Sequence, residues 1–217
     1  MNRLLNGYHR FRATAWPDRK RLFEELADAG QQPRVMVLSC ADSRVDPGMI
    51  FDAGPGELFV VRNVASLVPP YAPDAAYHGT SAALEFGVRV LEVHDLLVMG
   101  HALCGGIRAL LAGVPPEAGD FVAGWIRLAE PARARALACD DGTDPQLCCE
   151  REAVKLSVDN LMTFPWIRER VEAGTLRLQG AHFDIRSGAL SMLGADGQFN
   201  VVPPEPALGL GLGGARD

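Results

Sequence analysis

Apolar residues in this chain come in short dense runs separated by polar stretches rich in glycine and proline. Val35-Met36-Val37-Leu38, Leu58-Phe59-Val60-Val61 and Leu96-Leu97-Val98-Met99 are continuous rather than alternating. A strand buried on both faces reads this way, which predicts an α/β fold with a mostly parallel central sheet flanked by helices. The strands are expected over residues 34–39, 57–62 and 95–100.

Between the strands the period lengthens to that of a helix. Residues 17–29 place Leu22, Phe23 and Leu26 on one face, with Pro17 in the first turn and Gly30 as the stop. Ala83, Phe86, Gly87, Val90 and Leu91 follow at i, i+3, i+4, i+7 and i+8, behind Thr80 or Ser81 as a cap. Residues 121–137 are helical in character but broken at Pro131. Residues 148–163 read as one long helix, and Pro165 starts another. A late strand over 175–180 precedes a turn and short hairpin through Ser187-Gly188. The proline-rich stretch 69–73 is an extended loop. With no internal repeat and no linker, one domain is expected over 1–203. A flexible tail is expected over 204–217, where glycine leaves too little side chain to pack.

Composition narrows the function. A chain of 217 residues, 48% hydrophobic and 22% charged, has enough material for one core without disulfides. A net charge of −6 argues against a nucleic-acid partner, which would need a basic face. No apolar run approaches the ~20 residues of a membrane span, and the first ten residues lack the apolar segment of a secretory signal. A cytoplasmic protein is therefore expected. Its five cysteines are an odd number in a long chain, which favours reduced thiols, a metal, or both.

The chemistry gathers where the apolar runs stop. Strand, helix, strand in this order is a crossover unit, and such sheets bind ligands outside the carboxyl ends of their strands. Cys40 follows the first strand, His101 ends the third, and Gly105-Gly106 opens a helix whose free N–H groups face the same place. Cys40-Ala41-Asp42-Ser43-Arg44 crowds a thiol, a carboxylate and a guanidinium together, so it needs a positive partner, either Arg44 or a metal. Cys40 with His101 and Cys104 suits one tetrahedral zinc ion. Asp42 has two options: to be the fourth ligand and close the site, or to turn to Arg44 and leave that position to water. Two thiolates also cancel the charge of the zinc. Its water should then lose a proton above the value of about 7 seen on a three-histidine zinc.

Plainer readings apply elsewhere. A lone buried cysteine is most often a small apolar residue, so the convergence carries the argument. A cysteine-phosphatase loop would need an arginine six residues beyond Cys40, where Asp46 stands. His9, His78, His94 and His182 show no cysteine or carboxylate at ligand spacing and read as surface or packing residues. Cys148-Cys149 reads as structural rather than redox-active.

Taken together, residues 40–44, Arg62-Asn63-Val64-Ala65 and Gly100-His101-Ala102-Leu103-Cys104-Gly105-Gly106 resemble the β-class carbonic anhydrases. The resemblance is closest to the plant-type branch, through residues 62–71, 149–154 and 180–188. It implies reversible hydration of carbon dioxide to bicarbonate by zinc hydroxide, on a zinc held by Cys40, His101 and Cys104. Arg44 would hold Asp42 off the metal, and Asp42 would orient the hydroxide. It also implies a homodimer or higher homo-oligomer, with an N-terminal helical arm over residues 1–15 reaching across a partner. Gly105, Phe86, Tyr71 and Val64 are the candidate substrate-pocket residues. The chain departs from the family at Ala102, Ser66, Gly54 and Phe86. Val37 and Phe183 stand where a regulatory bicarbonate site would use tryptophan and tyrosine, so no such site is expected. A zinc hydrolase acting on carbonyl sulfide or carbon disulfide could share the three ligands, and a silent zinc protein with Asp42 on the metal is the rival outside enzymes.

Overall fold

The computed structural model describes residues 1–74, 76–139 and 142–204. The tail expected over 204–217 lies outside the described residues except for Pro204. Two helices, α1 (Asn2–Ala13) and α2 (Ala15–Ala29), open the chain and bury none of their residues; α1 falls where the helical arm was expected and α2 where the helix over 17–29 was. Gly30 ends α2 at φ 80°, the conformation expected of a glycine stop.

The core alternates strand and helix: β1 (Val35–Cys40), the short α3 (Pro47–Ile50), β2 (Leu58–Asn63), α4 (Gly79–Glu85), β3 (Asp95–His101) and α5 (Gly105–Ala112). Then come α6 (Val122–Ile126), α7 (Glu130–Leu137), α8 (Pro145–Leu161), α9 (Pro165–Glu172), β4 (Arg177–Phe183), β5 (Leu190–Leu193) and β6 (Phe199–Val201). Among the described residues the strands form one six-stranded sheet in the order β2-β1-β3-β4-β5-β6. The pairs β1/β2, β1/β3 and β3/β4 are parallel, and β4/β5 and β5/β6 are antiparallel. A mostly parallel sheet is the expected class. Among the described residues no helix is long and apolar enough to cross a membrane.

The apolar runs of β1 and β3 do bury both faces, whereas β2, at the sheet edge, leaves Val60 exposed. Met36, Leu38, Leu96 and Val98 point toward Leu84, Val88, Val154, Leu161, Phe164 and Ile167, while Val37, Leu97, Met99 and Ala181 form a second layer behind. Register then fixes the site. Ser39 lies opposite both Arg62 and Met99, so Cys40 and His101 leave adjacent strands at the same end.

Several boundaries differ from the sequence reading, each for a local reason. No side chain caps α4; its N-cap is His78, and the Thr80 hydroxyl instead meets Asn63 Nδ2 at 3.2 Å. The helix after α4 widens over Phe86–Val90, where Leu91 N–H donates back to the Phe86 carbonyl, five residues away. The break expected at Pro131 falls just before it: a tight turn over Arg127–Ala129 lets Pro131 occupy the first turn of α7. Helix α8 begins at Pro145 rather than Cys148, because the Asp144 side chain accepts from Gln146 and Leu147 N–H. Strand β4 runs to Phe183 and β6 was not expected, since its three residues are too short to set up a pattern.

Candidate metal centre

Cys40 ends β1, His101 ends β3, and Cys104 is the N-cap of α5, all nearly inaccessible at 5%, 1% and 2% exposure. One donor atom from each lies within 4.8 Å of the others, and among the described residues this is the one such histidine and cysteine group. The sulfurs are 4.0 Å apart. Two thiolates on a tetrahedral zinc, each about 2.3 Å from the metal, stand about 3.8 Å apart, so the spacing fits. His101 Nδ1 lies 2.9 Å from the Ala102 carbonyl and donates to it, which leaves the lone pair on Nε2. That Nε2 is buried and has no hydrogen-bond partner among the described residues. A buried nitrogen left this way costs about 1–3 kcal/mol, and a cation between it and the two sulfurs removes the cost.

The electrostatics agree. The Cys104 thiol beside it holds the Cys40 thiol well below its usual range, while the same contact, with burial, pushes Cys104 up. A divalent cation between the two sulfurs would favour the thiolate form of both. Backbone amides of Asp42 and Ala65 favour the thiolate of Cys40, and those of Gly106 and Ile107 favour that of Cys104. Backbone beside the cluster is strained at three positions. Ala65, Ser66 and Leu103 have φ of 64°, 52° and 58°, a region that costs a residue with a side chain about 1 kcal/mol or more. Gly106 has no room for a side chain: a Cβ would stand 2.9 Å from both Ala65 Cβ and Val64 Cγ1.

Asp42 faces Arg44 through a two-pronged ion pair. Arg44 Nε donates to Oδ1 at 2.9 Å and Nη2 to Oδ2 at 2.6 Å, and the Arg44 backbone N–H adds a third bond at 2.9 Å. This guanidinium holds the Asp42 carboxyl far below the usual carboxylate range. Arg62 on β2 secures the loop from the other side. Its Nε donates to the Cys40 carbonyl, Nη2 to the Asp42 carbonyl and Nη1 to Asp46 Oδ2, at 2.9, 2.6 and 2.8 Å. Asp46, the residue that ruled out a phosphatase loop, thus neutralises Arg62 and caps α3.

The candidate pocket residues do not gather in the single chain. Gly105 opens α5 with nothing within 4 Å of where a Cβ would be. Val64 lines an apolar cleft of about 780 Å3 with Pro69, Pro70, Tyr77, Phe121 and Trp125, but neither Phe86 nor Tyr71 reaches it. Phe86 packs on Phe59 and Tyr71 on Phe164, each with more than a third of its surface exposed.

Three histidines read as lone do have partners. His78 Nε2 lies 2.7 Å from Asp74, a carboxylate four residues upstream that the sequence reading passed over, and His94 Nδ1 accepts from Arg34. His182 is buried and lies 3.2 Å from Glu150, itself buried. Glu150 in turn accepts from the Cys104 backbone N–H at 2.9 Å, a link to the cluster that no local motif announces. Cys149 is fully buried and burial pushes its thiol up to about 11, which fits a structural role.

Comparison with known proteins places this geometry in a lineage. Residues 35–190 match the carbonic anhydrase family. The chain is 38% identical over 210 residues to beta carbonic anhydrase 3 of Arabidopsis thaliana, covering 94% of this chain and 80% of that protein. Among solved structures, the β-carbonic anhydrase CcaA superposes with a TM-score of 0.86 at 32% identity, over 94% of this chain and 93% of CcaA. One of two tetrameric β-carbonic anhydrases of Sordaria macrospora superposes with a TM-score of 0.76 at 27% identity, over 89% and 96%. The three-residue cluster falls inside the matched region, and the chain belongs to the β-class carbonic anhydrases.

Proposed function

We propose that this chain hydrates carbon dioxide reversibly to bicarbonate and a proton, on one zinc ion held by Cys40, His101 and Cys104. The observation that carries the reading is the buried, unpartnered Nε2 of His101 facing two sulfurs 4.0 Å apart. Zinc, when bound, would supply a Lewis acid that lowers the pKa of water and makes it a nucleophile.

The remaining work falls to the chain. Asp42, with both oxygens committed to Arg44, stays clear of the fourth ligand position. Oδ1 accepts two of the Arg44 bonds and Oδ2 only one, so Oδ2 keeps a lone pair that can accept a hydrogen from the attacking water and set its direction. Arg44 Nη2 also reaches the Leu103 carbonyl at 3.3 Å, tying the Asp42 loop to the turn that carries Cys104. The open arrangement of Asp42 is thus the one the geometry favours.

Assembly as a homodimer or larger belongs to the same reading. It is supported by the exposed Leu4, Leu5 and Tyr8 on α1, by the open apolar cleft beside Val64, and by the tetrameric relatives from Sordaria macrospora. Gly105, Phe86, Tyr71 and Val64 would then meet only where two copies join. A cytoplasmic setting suits thiolate ligands that must stay reduced, and one domain over residues 1–203 is supported by helices interleaved with a single sheet.

Two substitutions test the assignment of roles. Cys104→Ala is expected to lose zinc and hydration together. Asp42→Ala is expected to keep its zinc and lose about 100-fold or more in stopped-flow hydration rate. An Asp42→Ala protein that hydrates carbon dioxide at the parent rate would remove Asp42 from the mechanism.

A further inference from the structure

Among the described residues Glu150 is the one acid buried outright, at 3% exposure. A carboxylate in such a place is costly unless donors surround it, and Glu150 has three. Its Oε1 accepts from the Cys104 backbone N–H and from Gln146 Nε2, both at 2.9 Å, and its Oε2 faces His182 Nε2 at 3.2 Å. An ionised Glu150 makes that imidazole nitrogen the donor. His182 is itself buried, so the group forms a small polar network in an apolar setting.

The approach of α8 makes this possible. Val154, one turn beyond Glu150, rests on Gly100 of β3 and Gly180 of β4, where an added Cβ would come within 2.5 and 2.9 Å of it. Bare backbone at these two positions lets the helix lie close to the sheet and brings Glu150 beneath Cys104. As the N-cap of α5, Cys104 has a backbone N–H that the helix does not use. The residue before it, Leu103, holds an unfavourable φ of 58°. The turn therefore persists only because its surroundings hold it: Glu150 takes the Cys104 N–H, Gln146 Nε2 donates to the Cys104 carbonyl at 3.4 Å, and Arg44 takes the Leu103 carbonyl.

We propose that Glu150 is a positioning residue for the hydration reaction, fixing the Cys104 sulfur by holding the Cys104 amide from behind, with His182 and Gln146 orienting its carboxylate. The inference rests on the zinc reading above. Glu150 touches neither substrate nor metal, so its loss should move metal retention and turnover while leaving KM alone. Groups that orient a metal ligand are typically worth about 10- to 100-fold in metal affinity or activity.

The test compares the full chain with Glu150→Ala and Glu150→Gln, loaded with zinc and separately with cobalt(II). Glu150→Ala is expected to release zinc to a chelator about 10- to 100-fold faster, to lose kcat by a similar factor with KM within about twofold, and to shift the cobalt thiolate charge-transfer band. Glu150→Gln still offers an oxygen to the Cys104 N–H and is expected to recover most of the metal retention, a rescue that a general packing defect would not give. A folded Glu150→Ala protein with parent-like band, zinc release and kcat overturns the inference. If Glu150→Ala does not fold, Gln146→Ala decides: faster zinc release with a shifted band supports the proposal, and parent-like values overturn it. A parent chain that holds no zinc or hydrates nothing would instead overturn the zinc reading itself, so the two failures are distinguishable.

Discussion

At the amino end of the sheet, Arg34, His94, Arg170 and Arg177 line a cavity of about 650 Å3 together with Glu92 and Thr175. At the carboxyl end, Cys40, His101 and Cys104 converge with Asp42 and Arg44 beside them. Both ends carry guanidinium, imidazole and carboxylate groups. At the amino end the three guanidiniums and the imidazole have partners. Arg34 donates to His94 at 3.0 Å, Arg177 forks onto Asp95 at 2.7 and 2.9 Å, and Arg170 binds the carbonyls of Val88 and Thr175. At the carboxyl end a buried imidazole nitrogen has no hydrogen-bond partner among the described residues, and two buried sulfurs stand 4.0 Å apart beside it. The residue types present do not separate the two ends. Lone pairs on nitrogen and sulfur facing one another in a dry place do.

The largest effect expected from breaking this contrast comes from exchanging the two histidines. His101→Ala should lose zinc and fall to background hydration, whereas His94→Ala should keep both zinc and rate. Parallel metal analysis and stopped-flow assays check it, and a His94→Ala protein depleted of zinc would move the centre to the wrong end of the sheet.

Much of the carboxyl end was legible before any coordinates. Cys40 and His101 stand where continuous apolar runs stop, and the three-residue step from His101 to Cys104 falls where strand becomes helix. The pairing of Asp42 was open, because a carboxylate two residues from both Cys40 and Arg44 can turn either way; only the loop geometry held by Arg62 favours Arg44. Glu150 was not legible as a buried residue. It lies on α8 between Cys149 and Arg151, two residues from Glu152, and nothing local says which glutamate faces inward. The usable clue was distant: Gly100 and Gly180, one on each of two neighbouring strands, mark where a helix comes close. Thr80 misled for a related reason, since its hydroxyl had a better partner in Asn63 than in its own helix.

That close approach gives the intermediate effect. Gly100→Ala puts a methyl group 2.5 Å from Val154 Cγ2 and should cost about 1–3 kcal/mol in denaturant unfolding. Adding Val154→Ala should restore part of it. Full additivity of the two substitutions would mean that α8 is not held by this contact. The smallest effect belongs to the amino end: Arg177→Ala removes an exposed ion pair with Asp95 and should leave the hydration rate unchanged. A loss of rate there would show that the two ends are coupled.

The central claim is that the carboxyl-end cluster is a working zinc site. It is tested most directly by measuring zinc content and carbon dioxide hydration on the same samples of the unaltered chain, prepared with increasing amounts of zinc. Hydration that rises in proportion to zinc and stops at one ion per chain is the expected result. One zinc per chain without turnover, or turnover that does not follow zinc, would contradict it.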